Sequence, residues 1–168
     1  MGTVYDRNIL EFAATALEFC TWMEREGTSG RACFVDRAVK LLPLLYLKTS
    51  CLPDTSESDD EGAHFITEQT YELVRTRIAG LLGEYDSFLD TFSPDMPYSD
   101  TPVTAFISEN LADIYQALGN FVYLFRQGHE DTMFQALSAC TAAFRQYWGQ
   151  SLLNALKALH AIRYDDDI

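Results

Sequence analysis

Two carboxylates one helical turn apart are the closest this sequence comes to a site for chemistry. In the string SENLADIY, Glu109 and Asp113 stand four residues apart, which on a helix puts their side chains about 40° apart on one face. Carboxylates so placed can share a divalent cation, or divide the roles of acid and base. Asn110 flanks them, and Gln116 and Asn120 continue the same polar side. A polar stripe of this kind is the ordinary sign of a solvated helix face, so solvation of Glu109 and Asp113 is the first expectation. Upstream, in DMPYSDTP, Tyr98 and Asp100 precede a helix opening at Thr101 and Pro102. Free N–H groups at a helix start attract anions, but Asp100 would repel one, so capping is expected there. Tyr98, Glu109, Asn110 and Asp113 are the candidate ligand contacts.

The other reactive residue types are scattered. His64, His129 and His160 are far apart, and no Glu-x-x-His pair of the di-metal kind falls on a predicted helix. Cys20, Cys33, Cys51 and Cys140 form no CxxC pair, so zinc is not expected and the thiols read as reduced, most of them in the core. The acidic run from Asp54 to Phe65 lacks the glycine at its sixth position and the glutamate at its twelfth that a calcium loop requires. No nucleophile elbow or phosphate-binding glycine loop is present, and no metal or cofactor is implied. His160 is expected to be partly buried, with a backbone or carboxylate partner.

Charge narrows the partners. The 168 residues carry a net charge of -13, which opposes binding to nucleic acid and to anionic membrane surfaces. Asp54, Glu57, Asp59, Asp60, Glu61, Asp165, Asp166 and Asp167 supply eight of the 25 acids, leaving 17 against 12 bases elsewhere. No apolar run approaches the ~20 residues needed to span a bilayer. The opening MGTVYDRNILEF has no basic and apolar leader pattern, and residue 6 is Asp where a myristoylation motif wants Ser or Thr, so a cytoplasmic location is expected.

The elements that must position these residues are helices. Ile9, Phe12, Ala13, Ala16, Phe19, Cys20 and Met23 recur at three and four residues, with Glu11, Thr15 and Glu18 opposite, and Gly27 is the expected stop. A second helix starts near Ser29 or Gly30 and holds LLPLLYLK. Its leucines circle the axis, which predicts a helix surrounded by others, and Pro43 predicts a kink or break. Lys40 and Lys48 are expected to snorkel to water. Residues 51–66 read as a long acidic loop. Thr67 then caps a third helix that stops at Gly83, and Tyr85 to Phe92 allow one short turn. The fourth helix runs from Thr101 to about Gln127 with Ile107, Leu111, Ile114, Leu118, Phe121, Val122 and Phe125 as its seam. The last runs from Glu130 to Ile162 and carries a second ridge, Gly149, Leu153, Leu156 and His160, so its end should touch two neighbours, inside the bundle or across a dimer. No segment alternates with period two. The expectation is an all-α, single-domain bundle over residues 1–168, with four to five long, mostly antiparallel helices, one short helical turn, and an acidic tail at 164–168.

The strings KLLPLLYLKTSCLP, FITEQTYELVRTRIAGLLGEYDSFLD, DMPYSDTPVTAFISENLADIYQAL and FRQYWGQSLLNALKALH, spanning most of positions 40 to 160, resemble the bacterial domain-of-unknown-function family numbered 5063. The resemblance implies an all-helical, soluble, single-domain protein with no assigned activity and no catalytic residues to carry over. The functional expectation is therefore a non-enzymatic bundle that binds another protein or a second copy of itself, with the ridge of Gly149, Leu153, Leu156 and His160 as the interface. The alternative is a ligand- or metal-dependent enzyme with a carboxylate site between helices.

Overall fold

The structure, a computed structural model, describes residues 5–25, 30–54, 64–90 and 103–166. Its helices are α1 (Arg7–Glu24), α2 (Arg31–Ser50), α3 (Glu68–Leu82), α4 (Ile107–Arg126), α5 (Glu130–Ala143) and α6 (Gly149–Arg163). Strands β1 (Ser87–Asp90) and β2 (Val103–Phe106) form one short antiparallel ladder, in register from Ser87 opposite Phe106 to Asp90 opposite Val103. The protein is all-α apart from this ladder.

Local chemistry sets most boundaries. Asp6 caps α1 by accepting from the backbone N–H of Asn8 at 3.0 Å, and Thr67 caps α3 by accepting from Thr70 N at 3.1 Å. Gly83 (φ 59°) ends α3 and Gly128 (φ 78°) follows α4, both in the left-handed region that glycine enters without steric cost. The expected stop of α1 at Gly27 lies outside the described residues. Thr15, expected to face outward, is buried, because its hydroxyl donates to the Glu11 carbonyl at 2.8 Å and needs no water.

Three departures from the periodicity are physical. First, α2 runs through Pro43 without a break. Pro43 is exposed, so the hydrogen bond it forfeits lies on the solvent side. Nor is α2 surrounded: Leu41, Leu42 and Leu45 are buried, but Leu44 and Leu47 are 39% and 55% exposed. Second, residues 103–106 extend the chain as β2 where the fourth helix was expected. Val103 and Thr104 are β-branched, and pairing with β1 supplies the backbone partners. Third, the last helix contains one π turn, Phe144–Trp148, between α5 and α6. Cys140 and Leu152 are both buried though twelve residues apart, which on a pure α-helix would place them about 120° apart. The wider π turn absorbs one residue and returns Leu152, Ala155 and Leu159 to the core side. Trp148, fully buried, anchors the turn by donating its indole N–H to the Cys140 carbonyl at 3.0 Å.

One hydrophobic cluster includes residues of every helix. α4 is central, packing on α1, α3, α5 and α6, while α2 packs on α1 and α6. Among the described residues, no helix is long and apolar enough to cross a membrane.

Candidate functional site

The polar side of α4 does not face water throughout, because α3 lies against it. Glu109 is exposed, as expected for a solvated face. Asp113 is half-buried and accepts a hydrogen bond from the Tyr71 hydroxyl of α3 at 2.6 Å. Burial raises the Asp113 carboxyl above the usual aspartate value, and the Tyr71 hydrogen bond only partly opposes this. Burial also raises the Tyr71 phenol, and Asp113 adds to the effect. Tyr147, on the π turn, is raised by its own burial and then by the Asp113 charge, so the phenols of α3 and of the last helix share one carboxylate's field. The Asn110 side-chain nitrogen is buried and has no hydrogen-bond partner among the described residues. Asn120, further along the same side, accepts from the N–H groups of Phe65 and Ile66 at 2.7 and 2.8 Å, which fastens the entry to α3. Gly119 leaves room for Ile66, whose side chain would lie 2.6 Å from an added Cβ.

The structure thus joins Asp113 to Tyr71 of α3, a partner that sequence reasoning missed, half-buries Asn110, and leaves Glu109 exposed. Tyr98 lies outside the described residues. A half-buried carboxylate holding a phenol can bind a polar ligand. It is a weaker basis for metal chemistry, since no three His, Cys, Asp or Glu side chains gather at ligand distance among the described residues.

The second ridge of the last helix is half internal. α6 packs on both α4 and α2, so the two neighbours lie inside the bundle. Gly149, expected at an interface, is buried: an added Cβ would lie 2.6 Å from the Phe144 carbonyl oxygen. Leu156 is half-buried against the core, while Leu153 is 41% exposed. His160 is exposed, not partly buried, and its ring centroid lies 4.8 Å from that of Tyr164, because it stands off the buried line of α6 that Leu152, Ala155 and Leu159 form. Val39, Lys40 and Pro43 of α2 face Leu156, His160 and Tyr164 across an open groove of about 400 Å³. Lys48, expected to snorkel, instead donates to Glu11 at 2.8 Å. Two thiols are buried, Cys20 and Cys140, and two exposed, Cys33 and Cys51, against the expectation that most sit in the core.

Two arrangements had no local signal. Asp86 is 7% exposed and accepts from the backbone N–H and the hydroxyl of Ser108 at 2.7 and 2.6 Å, capping α4 from the turn after α3. Arg77 donates through Nη1 to the carbonyls of Met23 and Arg25 at 2.6 and 2.8 Å, closing the C-terminal end of α1. Both join residues more than twenty positions apart, beyond the reach of any motif.

This chain is similar to protein BF1032 from Bacteroides fragilis, known from a crystal structure, at 37% identity and a TM-score of 0.83 over 96% of each chain. No curated protein matches it. The family described as Domain of unknown function (DUF5063) matches residues 3–165, nearly the whole length over which the helices, the ladder and the α3–α4 side have been traced, and the chain therefore belongs to that family.

Proposed function

We propose that this protein is a non-enzymatic, cytoplasmic binding protein that docks a partner helix along the outer face of α2 and α6. The observation that carries this reading is the exposure of Leu44 and Leu47 on α2 and of Leu153 on α6, the two helices that line the groove. Burying the exposed portions of these three side chains yields roughly 2–4 kcal/mol, too little for an obligate interface given the cost of association. The interaction is therefore transient. Lys40 and Arg163 share a single carboxylate, Asp36, at 2.9 and 3.1 Å, so two cations meet one carboxylate at that point of the rim. An amphipathic helix with acidic flanks fits this face. A second copy fits it less well, since each copy carries a net charge of -13. The exposed thiols of Cys33 and Cys51 suit a reducing compartment.

A photo-crosslinking residue in place of Leu47 should give one discrete adduct in cells of the source organism, and the same residue in place of the exposed Leu73 of α3 should not. Equal adducts at both positions, or an adduct of twice the chain mass, would count against a helical partner at this face.

A second reading, a small-ligand site on the α3–α4 side, is favoured by the half-buried Asp113 with its Tyr71 bond and the unpartnered Asn110 nitrogen. In a thermal-shift screen its ligand would stabilise the wild type but not Asp113→Ala.

A further inference from the structure

Between the C-terminal end of α1, the first half of α2 and the C-terminal half of α3 lies a cavity of about 310 Å³, at the lower end of the ~300–1,000 Å³ usual for small-molecule sites. Its wall is apolar and aromatic: Trp22 and Phe34 lie with ring centroids 4.7 Å apart and planes 31° from parallel, next to Ile78. Arg25, Arg37 and Arg77 also line it, and among the described residues no aspartate or glutamate takes part. In a chain with 25 acids against 12 bases, this is a local reversal of charge.

The acids nearby do little to neutralise it. Glu18 approaches Arg37 to 3.6 Å on an exposed surface, and Glu24 accepts from the Tyr115 hydroxyl at 3.1 Å and forms no ion pair with the three arginines. Arg37 lies over the Trp22 ring at 5.4 Å, and Arg77 is held by the α1 carbonyls. Arg25 makes no ion pair among the described residues. Two of the three guanidinium groups are thus held in place, Arg77 by neutral carbonyls that leave its charge unmatched among the described residues, and Arg37 by the Trp22 ring and its loose pair with Glu18.

We infer that this cavity is a binding site for a small organic anion with an aromatic body, its ring against Trp22 and Phe34 and its head group among Arg25, Arg37 and Arg77. Two guanidinium groups with no carboxylate partner among the described residues, and a third whose carboxylate partner is Glu18 at 3.6 Å on the surface, favour a doubly charged head, and their planar forks match phosphate oxygens, so the class is an aryl phosphate monoester. The site is separate from the α2–α6 face and from Asp113.

Phenyl phosphate is the probe. Trp22 is one of two tryptophans, the other being the buried Trp148, so titration of the full chain should give a saturable change in tryptophan fluorescence by millimolar ligand. Arg25→Gln and Arg37→Gln should each weaken binding roughly tenfold, the scale of one charge-assisted contact. Benzyl alcohol, lacking the charge, and inorganic phosphate, lacking the ring, should bind at least as much more weakly. Bound phenyl phosphate should also slow alkylation of Cys33, which lines the cavity, and leave Cys51 unchanged. No saturable signal, inorganic phosphate binding as well as phenyl phosphate, or unaltered affinity in the arginine variants would overturn the inference. Should Arg37→Gln lose its fold along with the Trp22 stack, Arg25→Gln, on an exposed residue, decides the matter.

Discussion

Replacing Asp86 by alanine tests how α4, the central helix, is held at its start. Phe106 stands at the cap position of α4 and offers no side-chain acceptor, so the Ser108 N–H depends on Asp86. The carboxylate accepts two bonds, from Ser108 N at 2.7 Å and Ser108 Oγ at 2.6 Å, and both partners are buried. Hydrogen bonds to a charged group contribute about 1.5–3 kcal/mol each, and a helix cap about 0.5–2 kcal/mol. Relief of the carboxylate's own desolvation offsets part of this loss, which leaves a net cost near 3 kcal/mol for Asp86→Ala. Asp86→Asn keeps one acceptor and should cost about 1 kcal/mol. For a chain of this size each kcal/mol moves the melting temperature by roughly 2–4 °C, so Asp86→Ala should melt about 6–12 °C lower. Urea unfolding followed by far-UV circular dichroism measures the free energy directly, and the Asp86→Ala, Ser108→Ala double mutant should lose less than the sum of the two single mutants. A loss below ~0.5 kcal/mol, the range of an indifferent surface change, with additive behaviour in the cycle, would refute the cap.

Glycine substitutions should split by the space around them. Gly149→Ala places a Cβ 2.6 Å from the Phe144 carbonyl oxygen and should destabilise by about 1–2 kcal/mol despite better helix propensity, whereas Gly80→Ala meets nothing within 4 Å and should stabilise by up to about 1 kcal/mol; thermal melts of the two variants make the comparison. Asp113 sets a pH dependence. Its native pKa is raised by burial, so the unfolded chain ionises it first, and stability falls as pH rises through the ordinary aspartate value until the native group is also ionised. Asp113→Asn should remove that decline, and parallel curves of melting temperature against pH for wild type and variant would contradict it. Thiol labelling under native conditions should reach two equivalents, Cys33 and Cys51, while Cys20 and Cys140, buried and with pKa pushed up by burial (Cys140 to about 12), react only on unfolding.

The sequence by itself determined the helices and most of their faces. The seams of α1 and α4 are visible as spacing because burial on a helix repeats every three to four residues, and Thr67, Gly83 and Gly128 mark boundaries through their own side chains or backbone freedom. The four-residue strands β1 and β2 are too short to alternate legibly, and β2 shows itself only through its partner. The π turn was hidden inside an unbroken apolar pattern, since one absorbed residue alters phase without altering composition.

What the tertiary structure alone decided is which polar residues meet. Asp113 looked solvated because its own helix says nothing of α3, whose Tyr71 covers it. The ridge ending at His160, expected inside the bundle or across a dimer, divides: Gly149 is buried and Leu156 half-buried against the core, while Leu153 and His160 stay exposed, as do Leu44 and Leu47 of α2. Arg25, Arg37 and Arg77 belong to three different segments, up to 52 positions apart, and become one basic cavity only when α1, α2 and α3 pack. Helical periodicity is a property of a residue and its near neighbours along one axis. A site is a property of several axes at once, and their relative placement is set by the packing of the core.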